Sequence, residues 1–389
     1  MPDGATPRPA AAGVVDDHLI TALARDFATR AERHDRDASF PFENLPPLLD
    51  AGLPALLVPA ALGGRGRGLG DALRVVRGIA VGEPSTALVL ALQYLFHGAM
   101  FRNPDWSPAL RERIARTAVT DGALVNVLRV EPDLGTPLRG GLPATTARRV
   151  PGGWSLSGTK IYSTGSPALT WFGVWARTED AEPLVGTWVV PAGTPGLEVR
   201  ETWNHLGLRA SGSHEVVLTD VVVPDDHAAD IRPAAAWTVP DPRAVAAVAV
   251  LFSAVYDGVA RAARDWLLGF LKERAPSNLG APLATVPRLQ EAVGAIEERL
   301  HTNRVLLDAL AAAADAGTPP PASESLLTKY TVTNNAIDAV AKALEITGNP
   351  GLSRDNPLQR HHRDVLCARV HAPQNDTILT GAGRAALGI

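Results

Sequence analysis

The hydrophobic periodicity changes twice along the chain, and this order constrains the fold more than any single motif. From residue 14 to 120, apolar residues recur at helical spacing between breaks rich in Pro and Gly. From residue 121 to 228, short runs rich in β-branched and aromatic residues lie between turn residues, which is typical of strands. From residue 229 to 389, long helical patterns return. Residues 1–13 are interpreted as a loose tail.

This order predicts an α+β fold with an N-terminal helical domain, a middle β-barrel or β-sandwich domain and a C-terminal four-helix bundle. A chain of 389 residues is too long for one compact core, so two or three packed units are expected. A sizeable enzyme is therefore favoured over a single small binding module.

The composition excludes several classes of partner. Charged residues make up 20% of the chain and the formal net charge is −4, so there is no basic excess to attract nucleic acid or anionic lipid. We expect no apolar run long enough to cross a bilayer, and no metal site. The single cysteine, Cys367, excludes an intrachain disulfide and a cysteine-based zinc site. It favours a reducing compartment such as the cytoplasm.

Several strings occur in a characteristic order along the chain: "LLDAGLPALLVPAALGG", "EPDLGT", "WSLSGTKIYSTG", "HLGLRASGS" with "LTDVVVP", and "EITGNPGLSRDNPLQRHHRD". Together with the order of helical and β-rich parts, they resemble the acyl-CoA dehydrogenase superfamily of flavoproteins. The resemblance runs from about Phe42 to Leu387. It implies an FAD or FMN cofactor and a homotetramer or homodimer.

The segment "KIYSTG" resembles the strand that lies on the flavin in this superfamily. A flavin needs an apolar wall for its ring and hydrogen-bonding groups for its polar edge. Tyr162 offers an aromatic face, Ser163 and Thr164 offer short hydroxyls, and Gly165 leaves the backbone unobstructed. Taken by itself, the same string also fits a plain strand that ends in a turn.

Four further residues are assigned to the cofactor by the resemblance. Thr136 stands where the family has a Ser that contacts phosphate, and Arg274 stands where a family Arg reaches a neighbouring subunit's cofactor. Gly348 and Gly351 belong to a late turn that serves the partner's cofactor site. Thr136 also fits an ordinary turn residue, and Arg274 fits a solvated cation at a helix end.

The usual catalytic base of the family is absent from its position. Dehydrogenation of an acyl-CoA needs a base to remove the α-proton while hydride leaves for the flavin. Ungapped alignment of "HAPQNDTILTGAGRAAL" places Ala372 at the carboxylate position, and the alternative position falls near Val248. Asp376 is the remaining candidate for a displaced base. Simple dehydrogenation is therefore disfavoured.

The chain is more similar to a branch of the superfamily that contains dibenzothiophene monooxygenase and sugar or amine N-oxygenases. This resemblance rests on His371-Ala372-Pro373 on the predicted last helix, on "YSTG", and on His97 in "LQYLFHGAMF". It implies reduced flavin from a separate reductase, a flavin C4a-hydroperoxide formed with oxygen, and a small-molecule substrate.

We assign His371, Ser163 and His97 as candidate catalytic residues, because imidazoles and a hydroxyl can hold and protonate a peroxide oxygen in a dry pocket. His97 also fits a satisfied core histidine, a more common role for a histidine among apolar neighbours. Tyr94, Asn126 and Trp203 are candidate substrate-pocket residues. Asn126, a polar residue in an apolar strand, fits a cross-strand hydrogen bond somewhat better.

Three functions therefore stay open from the sequence. The favoured one is a two-component flavin monooxygenase that oxygenates a heteroatom or an activated carbon. The second is a dehydrogenase of acyl-CoA or acyl-carrier thioesters with a displaced base. The third is a non-catalytic scaffold that keeps the fold, which the retained "KIYSTG" and "EITGNPG" disfavour.

Overall fold

The computed structural model describes residues 15–134, 141–237 and 241–389. Helices form the first part of the chain, an eight-stranded sheet forms the middle, and helices form the last part. The three-part α+β fold predicted from the periodicity is confirmed. Thr136, a predicted cofactor residue, lies outside the described residues.

The N-terminal part contains five helices: α1 (Asp17–Asp37), α2 (Leu45–Asp50), α3 (Leu69–Gly82), α4 (Pro84–Arg102) and α5 (Pro108–Thr120). Helix α4 is buried along most of its length and lies at the centre of this part. The Glu83 carboxylate caps α4 by accepting hydrogen bonds from the amides of Ser85 and Thr86. Pro84 follows at the first helical position, where its missing N–H costs nothing.

The middle part is one sheet of eight strands: β1 (Leu124–Leu128), β2 (Thr146–Val150), β3 (Gly153–Ser163), β4 (Leu169–Thr178), β5 (Leu184–Pro191), β6 (Leu197–Arg200), β7 (His214–Pro224) and β8 (Ala228–Pro233). The strand order is β6-β7-β3-β2-β4-β5-β8, with β1 pairing with β4. Strand β8 pairs with β5 beyond residue 228, so the sheet continues past the predicted domain boundary.

The C-terminal part contains the helices α6 (Pro242–Glu273), α7 (Pro287–Asp315), α8 (Ala322–Thr347), α9 (Asn349–Leu352), α10 (Leu358–Leu366) and α11 (Asn375–Leu387). Asn303 on α7 donates to Asp257 on α6, and Arg264 pairs with Glu297, so α6 and α7 are antiparallel. A short connection turns the chain again into α8, and α6 and α8 therefore run parallel.

The fourth helix of the predicted bundle is divided into α10 and α11. The turn between them carries His371, Ala372 and Pro373, so the prediction that His371 lies on the last helix is wrong. Proline lacks the N–H that a helix interior needs and disfavours helical geometry in the residue before it. Helix α11 therefore begins only at Asn375.

Helix α6 corrects the expectation that no apolar run reaches the length of a bilayer span. Its 32 residues include a stretch with a mean hydropathy of 1.6, enough to cross a membrane by length and composition. However, 72% of that stretch is buried inside the protein, as in the core helix of a globular domain. Its apolar residues are thus covered by neighbouring helices.

Two adjacent residues of α10 join the three parts of the fold. Arg363 forms a bidentate ion pair with Asp35 of α1 at 2.9 and 2.6 Å, and it also donates to the Leu206 carbonyl. The buried Asp364 carboxylate accepts a hydrogen bond from the Leu208 amide at 2.7 Å. The loop before β7 is therefore fixed against both helical parts.

Candidate active site

The end of strand β3 contains an irregularity that directs two neighbouring side chains to different environments. The pairing of β3 with β7 shifts between Lys160 and Ser163, which is a β-bulge. Tyr162 has a φ of 56°, which is uncommon for a residue other than glycine, and its side chain is 52% exposed. Ser163 is fully buried, and its hydroxyl has no hydrogen-bond partner among the described residues. The bulge thus presents an aromatic face outside and a free hydroxyl inside.

A chain of buried hydroxyl groups follows this bulge. Thr164 Oγ1 lies 2.8 Å from Ser213 Oγ, which lies 2.7 Å from Ser211 Oγ. The Thr164 carbonyl accepts a hydrogen bond from Asn126 Nδ2 at 3.0 Å. The Asn126 side chain therefore binds the backbone of the turn after β3, instead of a neighbouring strand. Sequence reasoning missed Ser211 and Ser213, although both lie in the quoted string "HLGLRASGS".

The exposed Tyr162 belongs to a cluster of three aromatic rings. Trp203 stacks on His205 with a centroid distance of 3.9 Å and an interplanar angle of 10°. The Tyr162 ring meets them edge-on at 6.2 and 5.7 Å, respectively. The structure thus brings the predicted residues Tyr162 and Trp203 together and adds His205, the first residue of the quoted string "HLGLRASGS".

A buried ion pair lies just before the bulge. Lys160 Nζ is 2.6 Å from Glu131 Oε1, and Lys160 also donates to the Trp175 carbonyl. Glu131 accepts three further hydrogen bonds, from the Ala144 and Thr145 amides and from the Thr145 hydroxyl. Burial lowers the pKa of Lys160 to about 8, although Glu131 opposes this shift. This pair fixes the strand that carries Tyr162 to Gly165.

His371 lies in the turn between α10 and α11, against α6. Its Nδ1 atom is 2.8 Å from the Tyr256 hydroxyl, and its ring stacks on Phe252 at 3.9 Å. Phe252 and Tyr256 are one helical turn apart, so both side chains lie on the same face of α6. Lys329 Nζ on α8 donates to the carbonyls of His371 and Pro373, at 3.0 and 2.9 Å. Sequence reasoning missed Tyr256 and Lys329.

These contacts determine which nitrogen of His371 carries the proton. Burial raises the pKa of Tyr256 well above its usual value, so this phenol is protonated at neutral pH. Burial and the Lys329 ammonium both lower the pKa of His371, so its imidazole is neutral. His371 Nδ1 is the one hydrogen-bond partner of the Tyr256 hydroxyl within the described ranges. A buried hydroxyl needs an acceptor, so Tyr256 donates to Nδ1 and the proton of His371 is on Nε2.

His97 lies in the interior of the helical part. It is fully buried between the rings of Phe96 and Phe101, and neither ring nitrogen has a partner in the part of the chain that the structure describes. Burial lowers the pKa of His97 to about 3, so this imidazole is neutral. His97 is therefore neither an exposed base nor the satisfied core histidine that is more common.

The structure does not support Tyr94 as a substrate-pocket residue. It is 1% exposed, and its hydroxyl donates to the Leu53 carbonyl at 3.0 Å. Its ring packs inside the helical core. The helical pattern predicts that Tyr94 is buried. It cannot predict the hydrogen bond of the hydroxyl, because the accepting carbonyl of Leu53 lies 41 residues away in the chain.

The predicted site residues fall into separate groups. Within residues 15–134, 141–237 and 241–389, no hydrogen bond or ring contact joins His371 to Ser163 or His97. The hydroxyl groups after β3 are linked to α10, the helix before the His371 turn. The Ser211 amide donates to the Leu208 carbonyl, and the Leu208 amide donates to Asp364 of α10.

Arg274, Gly348 and Gly351 lie at the far end of the bundle. Arg274 is exposed at the end of α6, about 27 Å from Tyr256 at 1.5 Å per residue. Gly348 ends the parallel helix α8 with a φ of 63°, and Gly351 is buried in α9 against Thr347. Arg274 and the end of α8 are therefore separated from Tyr256, the partner of His371, by most of the length of the bundle.

The whole chain was compared with protein families and with known proteins. Residues 16–103, 129–221 and 250–376 match the N-terminal, middle and C-terminal domains of acyl-CoA dehydrogenases. The putative acyl-CoA dehydrogenase YdbM of Bacillus subtilis (strain 168) is 33% identical over 362 residues, which cover 92% of this chain and 93% of that protein.

Two further proteins are similar along almost the whole chain. The L-evernosamine nitrososynthase of a Micromonospora species is 31% identical over 380 residues, which cover 92% of this chain and 85% of that enzyme. The structure of KijD3 in complex with FMN and dTDP-3-amino-2,3,6-trideoxy-4-keto-3-methyl-D-glucose superposes with a TM-score of 0.83 at 28% identity. That alignment covers 99% of this chain and 97% of the other.

Proposed function

This chain belongs to the acyl-CoA dehydrogenase family, and from that membership we propose that it is a flavin-dependent monooxygenase of the two-component type. It takes reduced FMN or FAD from a separate flavin reductase and uses oxygen to oxygenate a small molecule at a heteroatom or an activated carbon. The observation that carries this proposal is the hydrogen bond from Tyr256 to His371 beside Ala372.

The end of β3 fits a flavin. Ser163 offers a buried hydroxyl without a partner, which a polar edge of the ring would satisfy. Tyr162 offers an exposed aromatic face, and Gly165 adopts a φ of 79° that suits glycine. A bound reduced flavin would supply the electrons that activate oxygen. Ser163 and Thr164 would bind its edge, and Tyr162 with Trp203 would cover it from solvent.

His371 is suited to donate a hydrogen bond and poorly suited to remove a proton from carbon. Because Tyr256 occupies Nδ1, the proton of His371 is on Nε2, where it can form a hydrogen bond to an oxygen atom. A base that removes an α-proton needs a free lone pair or a carboxylate, and Ala372 has neither. This imidazole therefore suits oxygen chemistry better than dehydrogenation.

Two of the similar proteins favour oxygenation. One is named an L-evernosamine nitrososynthase, and converting an amine into a nitroso group adds oxygen to nitrogen. The KijD3 structure contains FMN together with an amino-sugar nucleotide. By this analogy, an amine or another heteroatom of a small molecule is the proposed site of oxygenation.

We also propose a homotetramer or homodimer in which each cofactor site takes residues from two subunits. Arg274 lies about 27 Å from Tyr256 along α6, and Gly348 lies at the corresponding end of the parallel helix α8, which supports a role for both at a partner's cofactor. The exposure of Arg274 fits this role.

The second candidate is a thioester dehydrogenase, which the similarity to YdbM favours. It would need Asp376 as its base. Asp376 lies in the first turn of α11 and accepts a hydrogen bond from the Thr377 amide. That hydrogen bond already engages one oxygen of the carboxylate.

The decisive test is anaerobic reduction by substrate. The protein reconstituted with oxidised FMN or FAD is mixed without oxygen with short, medium and long acyl-CoA thioesters, and the flavin absorbance is followed. We expect no bleaching, either in the native protein or in Ala372→Glu. Rapid bleaching by any thioester would contradict the proposed monooxygenase and support the dehydrogenase. The variant Asp376→Asn would then show whether Asp376 is the base.

A further inference from the structure

A buried lysine without an acidic partner supports the turn that carries His371. Lys329 is 0% exposed, and no carboxylate pairs with it in residues 15–134, 141–237 or 241–389. Its two acceptors are the carbonyls of His371 and Pro373, at 3.0 and 2.9 Å. Burying an ammonium group without a counter-ion is costly, and burial lowers the pKa of Lys329 to about 8. A methionine would fill a similar volume at lower cost, so packing does not explain the choice of lysine.

Three contacts from two helices converge on this short turn. Lys329 on α8 holds the carbonyls on both sides of Ala372. Tyr256 on α6 holds Nδ1 of the His371 ring, and Phe252 supports one face of that ring. The ring and the backbone of His371 are thus fixed by separate groups. The His371 amide donates to the Cys367 carbonyl at 3.1 Å, and Lys329 is the side chain that holds the carbonyls of the turn.

Electrostatics gives Lys329 a second effect on the same imidazole. Burial is the main reason that the pKa of His371 is lowered, and the Lys329 ammonium bound to the His371 carbonyl lowers it further. The uncharged ring can carry its proton on either nitrogen, and Tyr256 then places that proton on Nε2. Lys329 and Tyr256 therefore act on different properties of one group.

We propose that Lys329 is the positioning residue of His371: it holds the turn from His371 to Pro373 through two carbonyls and so keeps Nδ1 of the imidazole against Tyr256. This role rests on the proposed function for its use in catalysis. The state of the imidazole can be measured without any flavin, so the two proposals can fail separately.

Three variants divide the role into its parts. Lys329→Met removes both the donors and the charge, Lys329→Gln keeps an N–H donor without the charge, and Lys342→Met is the control. Lys342 lies on the same helix, but its side chain is 35% exposed and pairs with Glu345. The control thus changes the same residue type on α8 without touching the turn.

The first readout is nitrogen NMR of ¹⁵N-histidine-labelled protein without flavin between pH 5 and 8. His371→Asn assigns the His371 signal among the ten histidines. We expect a neutral Nε2–H imidazole throughout this range in the native protein and in Lys342→Met. In Lys329→Met, the released turn should let the His371 signals show both neutral tautomers. In Lys329→Gln, whose amide can still donate to the turn, the Nε2–H form should persist throughout the range.

The second readout is oxygenation by the complete system with reductase and flavin. Displacing a catalytic group by about 1 Å can cost about a hundredfold in rate, so we expect Lys329→Met to lose kcat by roughly that factor. Lys329→Gln should stay within about tenfold of the native protein, because its amide still holds the turn. His371 signals in Lys329→Met that match those of the native protein would overturn the positioning role. Changed signals without any oxygenation in the native protein would instead overturn the proposed function alone.

Discussion

Replacing Lys160 with Met should destabilise the flavin-free protein by about 3–5 kcal/mol, because the Glu131 carboxylate is then buried without its cation. Lys160 is fully buried, Glu131 is 2% exposed, and the two charged groups are 2.6 Å apart. Water cannot easily replace the lost ammonium at such a site. The carboxylate keeps three donors from Ala144 and Thr145, which places the expected cost near the lower end of that range.

Urea unfolding followed by tryptophan fluorescence gives this free energy from the midpoint and slope. The matched control is Arg116→Met, which breaks an ion pair with Glu112 whose partners are 64% and 49% exposed. Such exposed pairs contribute about 0–1 kcal/mol. A Lys160→Met protein that is no less stable than the control would refute the reasoning. The variant should also bind FMN more weakly, since Lys160 fixes the strand end at Tyr162 to Gly165.

Two further predictions concern buried polar groups. Ser163→Ala removes a hydroxyl that has no partner within the described residues, so the melting temperature should hardly change. The affinity for FMN should fall about tenfold, the effect of losing one hydrogen bond of about 1.4 kcal/mol. A large loss of stability with normal FMN affinity would show that Ser163 is purely structural. The pKa of His97 is lowered by burial to about 3 from 6.5, so the unfolded chain takes up its proton first as the pH falls. The free energy of unfolding therefore drops between these pH values by up to about 1.4 kcal/mol per pH unit. Urea unfolding at a series of pH values should show that His97→Leu reduces this dependence of the unfolding free energy on pH. An identical dependence would mean that His97 is protonated in the folded protein.

The local elements of this fold could be predicted from the sequence because they depend on patterns within a few residues. The apolar spacing of α6 and the strand that ends in "YSTG" follow directly from periodicity and turn chemistry. The sequence pattern predicts a helix through residues 371–373, where the structure has a turn. Pro373 is a local signal for this turn, because proline disfavours helical geometry in the residue before it.

The partners of the candidate site could not be predicted, because they depend on how distant segments pack. Tyr256 contacts His371 across 115 residues, and Lys329 contacts the same turn across 42 residues. Periodicity places Tyr256 and Lys329 on apolar helix faces, where nothing local distinguishes a core residue from a residue of the site. The tautomer of His371 depends on these long-range contacts alone.

The central claim, that this protein directs the reaction of reduced flavin with oxygen, is tested most directly by stopped-flow absorbance. Reduced FMN is first bound without oxygen by an excess of the protein, and the mixture is then combined with oxygenated buffer. The absorbance spectrum is followed until the flavin is oxidised. A parallel series uses reduced FAD. We predict a separate absorbance phase that free flavin lacks and that His371→Ala shortens without loss of flavin binding. Oxidation in a single phase at the rate of free flavin would contradict the account.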